Sequence, residues 1–290
     1  MSNSSPLLFK TSFTDALAKI DSVRAALLTH DIKIGTHTSM GALFAKVLQL
    51  NKENSKHPGV YDYKKFFASM EALWIAEALL MAIDEPGSRI PIRRIVGSDM
   101  DLSGRSQSQG KDALWELDVF RRLKLGGADA RLEEPDVVVT LSDGLGEYGV
   151  ACKKVYVESG VANALADGCD QLKRANLPGI VMFNLDELME EKALLHAPTM
   201  AILHAEVTRR ARAFISRHHT VFQQMIDQGK CDGVMLSITI VYETPDVSPS
   251  IKLARIPVRY SHPHRPALSQ LATARLDAFV RYIDNGAIRR

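Results

Sequence analysis

"EPDVVVTLSDGLGEYGVACKK", residues 134–154, contains two apolar runs separated by the turn residues Ser142-Asp143-Gly144. Short apolar runs on either side of a turn that contains glycine predict an antiparallel β-hairpin. Residues two apart in a strand point to the same face, so Ala151 and Lys153 share one face of the second strand and Cys152 lies on the other. The hairpin therefore places a lysine on a face that a buried strand would keep apolar.

Helical and strand-like patterns alternate on both sides of this hairpin. The helical patterns cover residues 111–127, 160–176, 204–228 and 266–284, and the β-rich runs after the hairpin are GIVMFNL, VMLSITIVYE and IKLARIPVRY. Helices that alternate with short apolar strands are typical of a layered α/β protein. We therefore predict an α/β fold with a mixed central sheet flanked by helices.

The first 85 residues have a different pattern. Apolar residues recur at helical spacing, and the run FFASMEALWIAEALLMAI ends at Pro86-Gly87. The next segment, SRIPIRRIVGSDMDLSGRSQSQG at residues 88–110, is rich in Ser, Gly and Gln, which predicts a loop. We therefore predict an N-terminal all-helical domain over residues 1–95 and an α/β domain over residues 96–290. The helical domain is interpreted as a site for a protein partner or for homodimerisation.

The composition of the 290 residues is that of an ordinary globular protein. The apolar fraction is 46%, the charged fraction is 24% and the formal net charge is +2, so global charge gives no argument for a nucleic-acid partner. No stretch approaches the roughly 18 apolar residues of a membrane helix, so we expect a cytoplasmic protein without a membrane partner. The three cysteines form no CxxC pair, which argues against a zinc site and against a disulfide framework. They are expected to be reduced thiols.

Three charged residues near the hairpin point to one chemistry. Glu116 lies in the otherwise apolar stretch ALWELDVF, where a buried carboxylate needs a partner or a metal ion. Asp136 begins the first hairpin strand, and Lys153 ends the second. This order, completed by Gln171 in the following helix, resembles the PD-(D/E)xK nuclease superfamily over about residues 110–185. The resemblance implies a restriction-endonuclease-like fold and a metal-dependent nuclease that hydrolyses DNA or RNA.

The resemblance also implies a role for each matching residue. Asp136 and Glu116 would hold Mg²⁺, for which Mn²⁺ substitutes, and the backbone carbonyl of Cys152 would add an oxygen ligand. The metal would lower the pKa of an attacking water. Lys153 would orient that water and stabilise the charge of the transition state. Gln171 would hold the lysine or the phosphate.

Ala151 departs from the family pattern, which has Glu or Asp at this position. An alanine offers no oxygen to a metal, and three explanations remain open. The chain is an inactivated variant in which alanine replaces a glutamate, or the ligand comes from Glu147, Asp118 or Glu134. Alternatively the domain is a naturally inactive relative that only binds nucleic acid or a protein.

Two basic features have both a functional and an ordinary interpretation. Lys153 and Lys154 are either part of the site or solvated residues that protect an edge strand. A cluster of arginines in RRARAFISRHHTVF is either a phosphate-contacting stripe or a solvated helix face. Its members are Arg209, Arg210, Arg212 and Arg217.

Overall fold

The computed structural model describes residues 7–8, 13–56, 63–102, 104–188, 194–243, 251–260 and 268–288. The chain divides into two compact units. A helical unit comprises Phe9–Arg121, and an α/β unit comprises Met1–Leu8 with Arg122–Arg290. The predicted boundary near residue 95 lies inside the helical unit.

The helical unit extends beyond residue 95 because Asp118 and Arg121, on its last helix, contact its third helix. Its helices are α1 (Phe13–Thr29), α2 (Ser39–Lys56), α3 (Tyr63–Ala82), α4 (Arg89–Gly97) and the part of α5 (Gln109–Leu125) that ends at Arg121. Trp74 Nε1 on α3 donates a hydrogen bond to Asp118 Oδ1 at 2.6 Å. Arg121 Nη1 pairs with Glu77 Oε2 at 3.0 Å. These buried polar contacts attach α5 to the helical unit.

Helix α4 corrects the prediction of a continuous loop over residues 88–110. Ile92, Ile95 and Val96 are buried at helical spacing, which gives this short segment an apolar side to pack. Pro91 lies in the first turn, where its missing N–H costs no helical hydrogen bond. The predicted role of the helical unit in dimerisation or partner binding stays a prediction.

The α/β unit is built around one mixed sheet, which confirms the predicted α/β class with helices flanking a mixed sheet. Its strands are β1 (Leu7–Leu8), β2 (Asp129–Glu133), β3 (Asp136–Leu141), β4 (Gly146–Lys154), β5 (Gly179–Asn184), β6 (Leu194–His196), β7 (Gly233–Glu243) and β8 (Ile251–Tyr260). The strand order among the described residues is β1-β8-β7-β5-β4-β3-β2, and β6 pairs with the far end of β7. Strands β2, β3 and β4 are antiparallel neighbours, whereas β4, β5 and β7 run parallel.

The helices of this unit cover the two faces of the sheet. Helices α6 (Val161–Ala175) and α7 (Met200–Asp227) enclose one apolar core with β4, β5 and β7, to which Ala151, Val181 and Phe183 belong. Helix α8 (Leu268–Ile288) meets the other face, where the rings of Tyr148 and Phe279 lie 5.6 Å apart. No described helix is both long and apolar enough to cross a membrane.

Strand β4 lies between β3 and β5, and the Lys154 side chain is 5% exposed and ion-paired, so the interpretation of Lys154 as a solvated guard of an edge strand is wrong. In the register of β4 with its neighbours, Val150 pairs with Val137 of β3, and Lys154 pairs with Asn184 of β5. Extending the first pairing by one residue sets Asp136 beside Ala151. The hairpin therefore delivers Asp136, Ala151 and Lys153 to the same face of the sheet.

Candidate functional site

Asp136 joins three elements at the beginning of β3. Its Oδ2 accepts a hydrogen bond of 2.6 Å from the backbone N–H of Cys152 on β4. Its Oδ1 accepts one of 3.4 Å from Nε2 of Gln171 on α6, and the same amide nitrogen donates to the Pro135 carbonyl at 3.0 Å. The structure thus brings together three of the predicted site residues: Asp136, Cys152 through its backbone, and Gln171.

The electrostatic state of Asp136 depends chiefly on burial. Loss of solvent raises the pKa of this carboxyl to about 7, against the lowering effects of the Cys152 N–H, the positive charge of Lys153 and the Gln171 amide. The negative charge of Glu134 adds to the rise of the pKa. Asp136 is therefore partly protonated at neutral pH.

Lys153 and Gln171 each leave a polar group available at this place. Lys153 is half-buried, and no carboxylate of the described residues lies within ion-pairing distance of its ammonium. Oε1 of Gln171 is buried and has no hydrogen-bond partner among the described residues. Buried polar atoms are almost always hydrogen-bonded in folded proteins, so this oxygen marks a place where a donor is missing.

Ala151 is a core residue in this structure. Its side chain is 0% exposed and packs in the apolar core beneath α6. A Cβ added at Gly168 of α6 would lie 3.4 Å from the Ala151 Cβ and 2.9 Å from Val181 Cγ1. The helix therefore approaches the sheet closely at the very position where the family pattern has an acid.

The three proposed substitute acids have different surroundings. Glu134 adjoins the site, because its charge acts on Asp136, and its carboxylate pairs with Arg174 at 3.1 Å. Glu147 pairs with Arg131 at 2.8 Å near the opposite end of β4. Asp118 is bonded to Trp74 inside the helical unit. Of these three carboxylates, Glu134 is the one whose charge reaches Asp136.

Glu116 differs from the other predicted residues in its place in the chain. It is half-buried on the part of α5 that belongs to the helical unit, whereas Asp136, Lys153 and Gln171 belong to the α/β unit. Its predicted role as a metal ligand stays a prediction.

At the position of the family's second acid, this chain offers no side-chain ligand for a magnesium ion. Both oxygens of Asp136 accept hydrogen bonds from protein donors, and the position of the second acid is a buried alanine. Among the described residues, no group of three His, Cys, Asp or Glu side chains is arranged to hold a metal ion. Mg²⁺ prefers carboxylate oxygens and near-octahedral geometry. The Cys152 carbonyl as a metal ligand stays a prediction.

A second polar cluster lies at the ends of the parallel strands and was missed in the sequence. Lys154 Nζ is 3.1 Å from Asn184 Oδ1 and 3.1 Å from Glu187 Oε1, and both charged side chains are buried. Asn184 Nδ2 donates to Asp186 Oδ2 at 3.0 Å, and the Thr239 N–H donates to Asp186 Oδ1 at 2.6 Å. The available signal was the polar sequence Asn184-Leu-Asp186-Glu187 directly after a buried strand.

The predicted arginine stripe on α7 is interleaved with carboxylates. Glu206 accepts hydrogen bonds from Arg209 and Arg210, which lower the pKa of Glu206 to about 2. Arg217 Nε pairs with Glu158 Oε1 at 2.6 Å. Arg212 is exposed. Three of the four arginines thus form ion pairs with acidic side chains. Fewer of their charges are available to bind phosphate, which argues against a phosphate-binding surface.

Known proteins give no further guide to this site. Comparison of the chain with models of protein families, with curated proteins and with solved structures finds no match.

Proposed function

We propose that the α/β unit is a domain of the PD-(D/E)xK nuclease type that binds the phosphodiester backbone of nucleic acid, preferably DNA, where Asp136, Lys153 and Gln171 meet. The observation that carries this proposal is the convergence of these residues from β3, β4 and α6. Lys153 and Gln171 are 17 and 35 positions from Asp136, and the β3–β4 hairpin and α6 bring them towards it from separate parts of the sequence.

The order of elements supports a restriction-endonuclease-like fold. Helix α5 is followed by the β3–β4 hairpin with Asp136 at its beginning and Lys153 near its end, and then by α6 with Gln171. This is the order on which the resemblance rests. Strand β2, which precedes the hairpin, extends the same sheet without interrupting it.

The charges at the site favour phosphate binding over cleavage. Lys153 forms no ion pair within 4 Å in the described residues, although its charge acts on Asp136, and its ammonium would pair with a phosphate oxygen. Asp136 is partly neutral near pH 7, so it repels a phosphate less than an ordinary carboxylate does. Ala151 offers no oxygen where the family has its second acid. We therefore propose that this chain binds nucleic acid without cutting it.

The test compares the native chain with three variants on supercoiled plasmid, linear duplex, single-stranded DNA and RNA, in Mg²⁺ and in Mn²⁺. The native chain is expected to bind without cutting. Lys153→Met should weaken binding several-fold and reduce the salt dependence by about one phosphate contact. Ala151→Glu, if it keeps the native circular dichroism, should cut, and Ala151→Glu with Asp136→Asn should not.

Two results would contradict the proposal. One is native affinity for all four nucleic acids in Lys153→Met, and the other is no binding by the native chain at low salt. Because both concern the native chain and a variant at the half-buried Lys153, they do not depend on whether Ala151→Glu folds.

A metal-dependent nuclease that is active as it stands is the second candidate. It is favoured by Glu134, whose charge already acts on Asp136 and which a small side-chain movement away from Arg174 would free. This candidate predicts cleavage by the native chain that Glu134→Gln abolishes. Glu147→Gln is the matched control, because Glu147 also pairs with an arginine but lies near the other end of β4.

A further inference from the structure

Helix α4 of the helical unit presents three arginines to solvent. In its sequence, RIPIRRIVG, Arg89, Arg93 and Arg94 are exposed, and the helix contains no acidic residue. Within the ranges that the structure describes, none of these guanidinium groups forms a hydrogen bond or an ion pair. Helix α4 therefore carries three positive charges that the described part of the chain does not neutralise.

The three arginines lie on one side of the helix. Arg89 and Arg93 are about one turn apart, and the same exposed side contains Ile90, Arg94 and Gly97. We call these five residues the α4 arginine face. A Cβ added at Gly97 would meet no atom within 4 Å, so the face is open at this end of the helix. The opposite side is buried and consists of Pro91, Ile92, Ile95 and Val96.

The arginines of α4 differ from those of α7 in their surroundings. On α7, Glu206 lies within about one turn of Arg209 and Arg210 and pairs with both. On α4, Arg89 and Arg93 are like charges four positions apart, an arrangement that destabilises a helix. Arg89 also lies in the first turn, where the helix dipole disfavours a positive charge. A polyanionic partner would compensate for both costs.

Two acids that flank α4 in the sequence are held by other side chains. Asp84 Oδ1 lies 3.3 Å from His30 Nε2. Asp99 accepts hydrogen bonds from the hydroxyls of Ser39 at 3.2 Å and Ser106 at 2.9 Å. These carboxylates are therefore directed to groups other than the arginines of α4.

We propose that the α4 arginine face binds the phosphodiester backbone of nucleic acid, as a contact in the helical unit additional to that of Lys153. A guanidinium group binds a phosphate through two parallel hydrogen bonds. Arg89 and Arg93 are about 6 Å apart along the helix axis, so each can reach a different phosphate. This inference rests on the proposed function for the class of partner, but on different residues.

The α4 arginine face fits nucleic acid better than two other polyanions. An anionic membrane binds helices whose apolar side is available to enter the lipid, and the apolar side of α4 is buried in the helical unit. An acidic protein would need an apolar centre to its interface, and this face offers one apolar side chain, Ile90, which is 64% exposed.

The experiment measures binding of the full chain to labelled duplex DNA, single-stranded DNA and RNA at increasing salt, without a divalent metal. The variant combines Arg89→Gln, Arg93→Gln and Arg94→Gln and is called the α4 variant. Its affinity should fall about tenfold, and its slope of log affinity against log salt on duplex DNA should decrease by about three. Because the three side chains are exposed, its Tm should be native.

The matched control combines Arg209→Gln, Arg210→Gln and Arg217→Gln and is called the α7 variant. It removes the same three charges, but from arginines that pair with carboxylates of the chain. Its affinity should stay within about twofold of the native value, since these charges are less available to phosphate. Replacement of the three α4 arginines by lysine should keep the native salt dependence, because the charges remain.

Three results would overturn the inference. The first is native affinity of the α4 variant for all three nucleic acids, and the second is an equal loss in the α7 variant, which would show an effect of net charge alone. The third is binding through α4 to poly-glutamate, or to vesicles of phosphatidylcholine and phosphatidylserine in equal parts, without binding through α4 to nucleic acid.

Lys153→Met separates this inference from the proposed function. Weaker binding by Lys153→Met with native affinity of the α4 variant would overturn the inference alone. Weaker binding by the α4 variant with native affinity of Lys153→Met would overturn the function proposed for Lys153 and support the inference. Absence of binding by the native chain at low salt would overturn both.

Discussion

Lys153 and Lys154 are neighbours in the sequence, but they lie on opposite faces of the central sheet in contrasting surroundings. Lys154 is 5% exposed, and its ammonium is bonded to Asn184 and to the buried carboxylate of Glu187. Lys153 is half-buried on the face of Asp136 and has no carboxylate within ion-pairing distance among the described residues. The charge of Lys154 is therefore paired inside the protein, whereas the charge of Lys153 acts on Asp136 without a close ion pair among the described residues.

The end of β4 can carry a structural residue and a candidate binding residue side by side. A buried charge needs a fixed partner, because the cost of removing it from water is otherwise several kcal/mol. Lys154 has such a partner and thereby fixes the end of β4. With β4 fixed, the alternation of side chains directs Lys153 to the face that carries Asp136. We therefore interpret Lys154 as structural, whereas Lys153 is the residue to which the proposed function assigns the phosphate contact.

The largest expected effect separates the two lysines by stability. Glu187→Gln leaves the ammonium of Lys154 buried without its counter-charge and should lower the free energy of unfolding by about 3–5 kcal/mol. Lys153→Met removes no ion pair and should change it by less than about 1 kcal/mol. Urea unfolding measures both. Equal losses in the two variants would contradict the division of roles.

The second prediction concerns the pH dependence that Asp136 gives to stability. Burial raises the pKa of Asp136 from 3.8 to about 7, so the folded chain holds this proton more tightly than the unfolded chain does. The contribution of this group to stability is therefore greatest below pH 4, declines as the pH rises towards 7 and is constant above it. The decline should amount to a few kcal/mol.

Asp136→Asn tests this prediction, because an amide does not titrate. We expect the free energy of unfolding of the native chain, minus that of Asp136→Asn, to decrease as the pH rises from 4 to 8. A difference that stays constant over this range would show that Asp136 titrates normally. Lys153→Met should extend the native decline to higher pH, since the charge of Lys153 lowers the pKa of Asp136.

The sequence predicted the α/β unit well, because its signals are local. Apolar runs of strand length and helical periodicity located β3, β4, β5, β7 and β8 to within a few residues. Strand β2 was missed, since DARLE carries charged residues at three of its five positions and is held by its pairing with β3. Trp74 and Asp118, which attach α5 to α3, are 44 residues apart in the chain, so no local signal shows that the helical unit continues to Arg121.

At the site, the sequence led us to expect Asp136, Glu116, Lys153 and Gln171 together. The structure joins Asp136 to Gln171 by a hydrogen bond, and the role of Glu116 stays a prediction. The burial of Ala151 depends on the close approach of Gly168, and the partner of Lys154 depends on the parallel register of β4 and β5. Neither is visible in a single sequence, because both depend on the position of one element against another.

A third, smaller effect tests the packing beneath the Asp136 face. Gly168→Ala places a methyl group 2.9 Å from Val181 and 3.4 Å from Ala151, so α6 must shift. Overpacking should lower the free energy of unfolding by about 1–3 kcal/mol, which outweighs the gain of up to about 1 kcal/mol in helix propensity. Gly160→Ala is the control, because its added Cβ would meet only Val157 at 3.7 Å. Equal stability of the two variants would show that α6 is loosely packed.

The smallest effect comes from an exposed counterpart of the Lys154–Glu187 pair. Glu158 is 43% exposed and binds Arg217 at 2.6 Å and His218 at 3.0 Å. Because water screens exposed charges, Glu158→Gln should lower the free energy of unfolding by less than about 1 kcal/mol. Arg217 lowers the pKa of Glu158, so this contribution is present at neutral pH and is lost as the pH falls through that lowered pKa.

In 1 M NaCl the effect of Glu158→Gln should nearly vanish, whereas that of Glu187→Gln should persist, since salt does not reach a buried pair. Equal weakening of both effects by salt would show that the Lys154–Glu187 pair is exposed to solvent. It would contradict the difference between the two faces of β4.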